Sequence, residues 1–134
     1  MRIRGVGVDI LNYSRFQYIS DFHNDKGIKK IFTQDEIESS HSHENLVRYF
    51  SARFAVKEAV FKSLSINLDL VKYTDIEVYS RLDHKPCVRL LGDLKSDQQL
   101  KFIQQIEVSL SYEHNCVIAY AITTEKIKEA HGNM

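Results

Sequence analysis

The sequence predicts an α+β fold: one domain with a largely antiparallel sheet packed on a long central helix. Three observations carry this expectation. Residues 2–10, RIRGVGVDI, alternate with a period of two, residues 45–64 carry apolar positions at helical spacing, and two apolar runs near the end are separated by only three polar residues. At 134 residues the chain matches one domain, and no repeat, linker or low-complexity tract divides it.

In the first run Ile3, Gly5, Gly7 and Asp9 share one face of a strand, and Val6, Val8 and Ile10 share the other. Asn12 or Ser14 then caps an expected helix carrying Phe16, Ile19 and Phe22. Thr33 with Glu36 three residues later is a capping-box pattern for a helix near 34–41. The central helix over 45–64 follows, with Phe50, Phe54, Phe61 and Leu64 on its apolar stripe. Short strands are expected at 75–79 and 87–91, a helix with Leu94, Leu100, Phe102 and Ile103, and two strands at 106–112 and 116–123. Glu113-His114-Asn115 suits a tight hairpin between the last two, and residues 125–134 form a polar tail of helical character.

Composition narrows the function. Basic and acidic side chains balance at 18 each, which argues against a nucleic-acid binder relying on net positive charge. No apolar run has the length of a membrane span, and the N-terminus lacks a leader pattern, so a cytoplasmic protein with no membrane contact is expected. Cys87 and Cys116 have no CxxC spacing and read as two buried thiols, with a disulfide between them left open. His41 and His43 lie in a serine-rich segment and read as a solvated loop.

On a helical wheel Ala52, Phe54, Ala55, Val56, Ala59, Val60, Phe61 and Leu64 surround nearly the whole central helix. Such a helix is buried, yet it carries Arg53, Lys57, Glu58 and Lys62, and charges near a core need partners. Glu58 and Lys62 form an i, i+4 pair, for which an ordinary surface ion pair is one reading. Arg53 and Lys57 repel at the same spacing unless an anion lies beside them, and a phosphate-bearing ligand answers that need. Asp9 alone reads as a cap or turn residue. Gly5 and Gly7, however, let a helix backbone come close. If that helix carries Glu58, two carboxylates converge in a donor set that suits Mg²⁺.

The blocks GVGVDI followed by Arg15, IFTQDEIE and RYFSARFAVKEAVFKSL resemble, in order and spacing, the holo-acyl-carrier-protein synthase type of 4'-phosphopantetheinyl transferase. DIEV, HKPCVRL and VSLSYEHNCVIAYAI extend the likeness over nearly the whole chain. The resemblance implies Mg²⁺-dependent transfer of phosphopantetheine from coenzyme A to a serine of acyl carrier protein. Adenosine 3',5'-bisphosphate is released, in the service of fatty acid biosynthesis. It implies Asp9 and Glu58 as metal ligands and Glu58 and Lys62 as catalytic groups. Arg53, Lys57, Lys62, Ser65, Pro86 and Tyr112 would lie along coenzyme A, and Arg15, Phe16 and Ile19 would face the carrier protein. A homotrimer with sites between subunits is a further implication.

Three positions depart from the family pattern. Ser63 to Leu68 lacks the usual glycine-rich turn, Tyr112 stands where many members have histidine, and Asp83-His84 replaces a glycine before Lys85-Pro86. Ser65 and Asn67 can rebuild the first loop, and Tyr112 can donate one hydrogen bond to phosphate. The alternative is a carrier-protein-binding homologue with weakened coenzyme A binding and no catalysis, against which the retained Asp9, Glu58 and Lys62 argue. An unrelated Mg²⁺-dependent phosphohydrolase would need a further acidic motif, and none is evident.

Overall fold

The computed structural model describes residues 1–67, 69 and 71–127. The elements run β1 (Arg2–Asn12), α1 (Lys26–Ile31), α2 (Gln34–Ser40), α3 (Leu46–Leu64), β2 (Ile76–Ser80), β3 (Pro86–Leu90), α4 (Gly92–Ser96), β4 (Ile103–Tyr112) and β5 (Cys116–Glu125). Antiparallel strands in the order β1-β5-β4 make the main sheet, and β2 with β3 make a separate antiparallel pair. The α+β expectation is met, with α3 lying across the inner face of the main sheet.

The contact between β1 and α3 is set by glycine. A Cβ on Gly7 would fall 1.9 Å from the Ala59 carbonyl oxygen, and one on Gly5 would fall 2.3 Å from that of Ser63. Two residues of strand advance about 6.6 Å and four of helix about 6 Å, so the two glycines meet successive turns of α3 in step. Ala119 and Ala121 of β5, both fully buried, keep the neighbouring strand equally low under the helix.

A buried ion pair anchors the other side of α3. Lys57 Nζ lies 2.8 Å from Glu36 Oε1, and both side chains are wholly excluded from solvent. The same ammonium donates to the carbonyls of Tyr73 and Ile76. Glu36 accepts from the amides of Thr33 and Val78, each at 2.8 Å, the first of these completing the predicted capping box of α2. Burial pulls the Lys57 ammonium below its usual pKa, and the Glu36 carboxylate opposes that pull. One charge pair thereby fixes α2, α3 and the start of β2, and every proton on the nitrogen has an acceptor.

Three expected elements differ. The helix predicted to carry Phe16, Ile19 and Phe22 is a 3-10 turn, Tyr13–Arg15, followed by further turns. Asn12 caps it through the Ser14 amide, and the backbone then closes i to i+3 bonds at Phe16, Ile19 and Asn24, so no α-helical ladder starts. Phe16 and Phe22 still reach the core from this irregular backbone. The helix α1, not anticipated, begins where Asp25 caps the Ile28 amide. The helix expected around Leu94 to Ile103 is divided into α4 and a 3-10 turn, Gln98–Leu100, because Asp97 is extended and caps the second. The expected polar tail starts later than position 125. Glu125 ends β5 and is buried, binding Arg2 at 2.9 Å and Arg4 at 3.0 Å, and the tail beyond position 127 lies outside the described residues.

Two substitutions test these anchors. Gly7→Ala should lower unfolding free energy by about 3 kcal/mol or abolish folding, because the new methyl meets backbone that cannot move aside. Lys57→Met leaves the Glu36 charge buried and should cost about 3–5 kcal/mol. Urea denaturation of both variants against wild type is the measurement for each.

Candidate active site

One step along β1 beyond Gly7 brings Asp9 beside the turn of α3 that carries Glu58. Lys62 Nζ lies 3.5 Å from Asp9 Oδ1 and donates to the Val8 carbonyl at 2.8 Å. Tyr73 donates its phenol proton to Glu58 Oε1 at 2.6 Å. Burial raises the pKa of Asp9 above its ordinary value; Lys62 opposes the rise, the Glu58 charge adds to it, and Arg15 opposes it more weakly. Burial and the hydrogen bond to Glu58 push the Tyr73 phenol up to about 12. Arg15 completes the group, its guanidinium 4.8 Å from the centre of the Phe54 ring.

The arrangement fits a divalent cation with hard oxygen ligands. Glu58 lies close enough that its charge makes that of Asp9 costly, and a cation between the two carboxylates reverses that cost. Among the described residues no group of three or more metal-binding side chains occurs, so the protein offers two ligands and leaves other positions to water and substrate, as Mg²⁺ prefers. Lys62, half exposed beside Asp9, presents a positive charge at the same place.

A second region opens on another flank of α3. A cavity of about 490 Å³ is lined by Arg48, Tyr49, Arg53, Ser80, Pro86 and Tyr112 among others. The Arg53 guanidinium stacks 3.8 Å from the Tyr49 ring centre and reaches Ser80 Oγ at 3.4 Å, while its Nε is buried without a partner. Burial lowers the Arg53 pKa, with Tyr49 and Glu36 opposing the shift. Arg48 stacks 3.9 Å from the Tyr112 ring centre. Arg53 and Glu58 stand about 140° apart around the helix, so this cavity and the Asp9 cluster share no side chain.

The residues picked out from sequence therefore separate into groups. Asp9, Glu58, Lys62 and Arg15 come together, while Arg53, Pro86 and Tyr112 line the cavity. Ser65 caps the C-terminal end of α3 in the left-handed conformation, φ 53°, with its hydroxyl beside Gly5. Lys57 as a coenzyme A contact is corrected: its ammonium is consumed by Glu36 and two carbonyls and has no solvent exposure. Phe16 as a carrier-protein contact is corrected too, since its ring is buried between Phe32 and Phe54. Ile19 is half-buried and packs against the core edge. Arg48 and Tyr73 were missed. Neither offered a spacing signal: Arg48 stands five residues before Arg53, off its face of the helix, and joins the cavity through Tyr112, while Tyr73 is distant in sequence from Glu58.

Comparison with known proteins places the chain in one family. The family model for the 4'-phosphopantetheinyl transferase superfamily matches residues 5–121. The chain is 38% identical over 122 residues to the holo-[acyl-carrier-protein] synthase of Thermodesulfovibrio yellowstonii, covering 91% of this chain and 99% of that one. It is 30% identical to that of Halothermothrix orenii, over 92% and 98% of the two chains. Among solved structures it is similar to the holo-ACP-synthase of Plasmodium yoelii, with TM-score 0.78, 30% identity and coverage of 93% and 97%. A structure of the Plasmodium yoelii acyl carrier protein synthase with ADP bound gives TM-score 0.80 at 30% identity, with coverage of 93% and 97%. With its glycine-seated strand, its paired carboxylates and these relatives, the chain belongs to the 4'-phosphopantetheinyl transferase superfamily.

Proposed function

We propose that the protein transfers the 4'-phosphopantetheine group of coenzyme A to a serine of an apo acyl carrier protein, in a reaction that requires Mg²⁺. The observation that carries this reading is the convergence of Asp9, Glu58 and Lys62 where β1 meets α3. Bound there by the two carboxylates, Mg²⁺ would supply charge neutralisation on the diphosphate.

The chain's own groups do the rest. Lys62 Nζ donates to a diphosphate oxygen and stabilises the charge that develops as phosphorus is attacked. The serine oxygen bonds to the β-phosphorus, the bond from that phosphorus to the bridging oxygen breaks, and adenosine 3',5'-bisphosphate leaves. Glu58 accepts the serine proton through Oε2, the oxygen that Tyr73 does not occupy. Arg53 and Arg48, stacked on tyrosines and without carboxylate partners among the described residues, suit the phosphates of the nucleotide end. Pro86 and Tyr112 wall the same cavity, and Ser65 offers a hydroxyl at the end of α3. Arg15, whose charge acts on Asp9, and the half-buried Ile19 four residues on present a positive charge and apolar surface to an acidic carrier protein.

The outer face of the sheet supports the homotrimer that we propose. Val6 pairs with Ile122, Val8 with Tyr120 and Ile10 with Ile118, and β1's three members are each more than half exposed. Such a face calls for cover, and further copies of the chain are the covering we propose. Because the carboxylate cluster and the arginine cavity occupy different flanks of α3, each complete site would join two subunits. The setting of the reaction is the cytoplasm and fatty acid biosynthesis, consistent with two free thiols. No described helix is long and apolar enough to cross a membrane.

Incubation with Mg²⁺, coenzyme A and an apo acyl carrier protein should add phosphopantetheine to the carrier, read by intact mass spectrometry; an unmodified carrier overturns the proposal. Asp9→Ala and Glu58→Ala should each lower kcat by roughly 100-fold or more, the loss expected when several kcal/mol of charge stabilisation is removed. The raised Asp9 pKa gives a stability test with a definite sign. The native state holds that proton more tightly than the unfolded chain, so the contribution is full below the unfolded value of 3.8 and is lost as pH rises through the raised native value. At neutral pH, Mg²⁺ should therefore raise Tm in wild type, and Asp9→Asn should remove that response without lowering the metal-free Tm.

A further inference from the structure

Tyr73 belongs to the short 3-10 turn Tyr73–Asp75 that precedes β2, and it lies fifteen residues from Glu58 in sequence. Its ring sits against Phe54, with centroids 5.2 Å apart, and against Phe61, at 5.4 Å. Those two residues stand four before and three after Glu58 on α3, so the ring covers the helical face from which Glu58 projects. Its backbone is held as firmly, because the Tyr73 carbonyl accepts from the buried Lys57 ammonium at 3.0 Å. Lys57 is in turn fixed by Glu36. The phenol is thus located from both ends, and it delivers its proton to Glu58 Oε1 at 2.6 Å.

A glutamate on an exposed helix face has three rotatable bonds and samples several rotamers. A donor fixed on one oxygen selects among them and leaves Oε2 directed to its own task, in the manner of outer partners that orient metal ligands. We propose that Tyr73 is the positioning residue that orients Glu58 for its cation and for the attacking hydroxyl, an inference that rests on the two-carboxylate reading above. Phenylalanine at this position would fill the same space between Phe54 and Phe61 and would lack the donor. The hydroxyl therefore serves the site and the ring serves the core.

Tyr73→Phe separates the two roles. Metal-free protein is titrated with Mn²⁺, a cation of similar preference for oxygen ligands, and free Mn²⁺ is followed by electron paramagnetic resonance. Tyr73→Phe should weaken Mn²⁺ binding by about 10-fold or more and lower kcat while leaving KM for coenzyme A within about twofold and Tm nearly unchanged. Wild-type Mn²⁺ affinity in Tyr73→Phe overturns the proposal, and a lowered Tm with unaltered Mn²⁺ affinity overturns it equally, since that pattern belongs to packing alone. Asp9→Asn run in parallel distinguishes the failures. If Asp9→Asn also binds Mn²⁺ like wild type, the two-carboxylate reading falls and takes this inference with it. If Asp9→Asn loses affinity and Tyr73→Phe does not, only the positioning role falls.

Discussion

The approach of β1 to α3 is the constraint on which the remaining architecture depends. Side chains on facing elements ordinarily hold packed helices about 8–10 Å apart and packed sheets about 10 Å apart. Here Gly5 and Gly7 let helix carbonyls enter the space where Cβ atoms would stand. Asp9, the next residue on that face, is consequently carried to the helix at backbone distance, and its short side chain suffices to share a field with Glu58 and Lys62. The geometry of this cluster is a by-product of close packing, and the two cannot be altered independently.

On its far side the helix is held by a different kind of force. The pair of Lys57 with Glu36 is costly to desolvate and is worth retaining only because the hydrogen-bond network around it is complete. What the pair contributes is location. It ties α2, α3 and the turn before β2 to one point, and Tyr73 leaves that point with its phenol aimed at Glu58. Thus the core ion pair and the surface cluster are connected by a single residue.

Much of this was legible in the sequence where physics is local. The Thr33–Glu36 capping box, the full-circumference apolar helix and the three-residue hairpin each depend on neighbours within a turn or a strand, and each was found in place; the period-two run holds from Gly5 to Ile10, but a register shift between Ile3 and Gly5 leaves Ile3 exposed and off the glycine face. The failures share a cause. Phe16 and Phe22 sit at helical spacing, but the Asn12 cap and successive i to i+3 bonds decide the backbone there, so the same side chains become core from a chain of turns. Lys57 looked like a ligand group because its repulsion with Arg53 demanded an anion. The anion proved to be Glu36, twenty-one residues away and brought in by the tertiary fold. The partnership of Tyr73 with Glu58 is likewise a product of packing that no spacing rule encodes.

The alternation of β1 has a consequence for how this protein can vary. Its inward positions hold the glycines and Asp9, its outward positions hold Val6, Val8 and Ile10, and its first residues reach across to Glu125. A strand normally has one face on which substitutions drift with little effect. This one has none, so a substitution anywhere from Gly5 to Ile10 disturbs the helix contact, the charged cluster or the outer apolar face, whereas the exposed hairpin tip at 113–115 meets none of these demands.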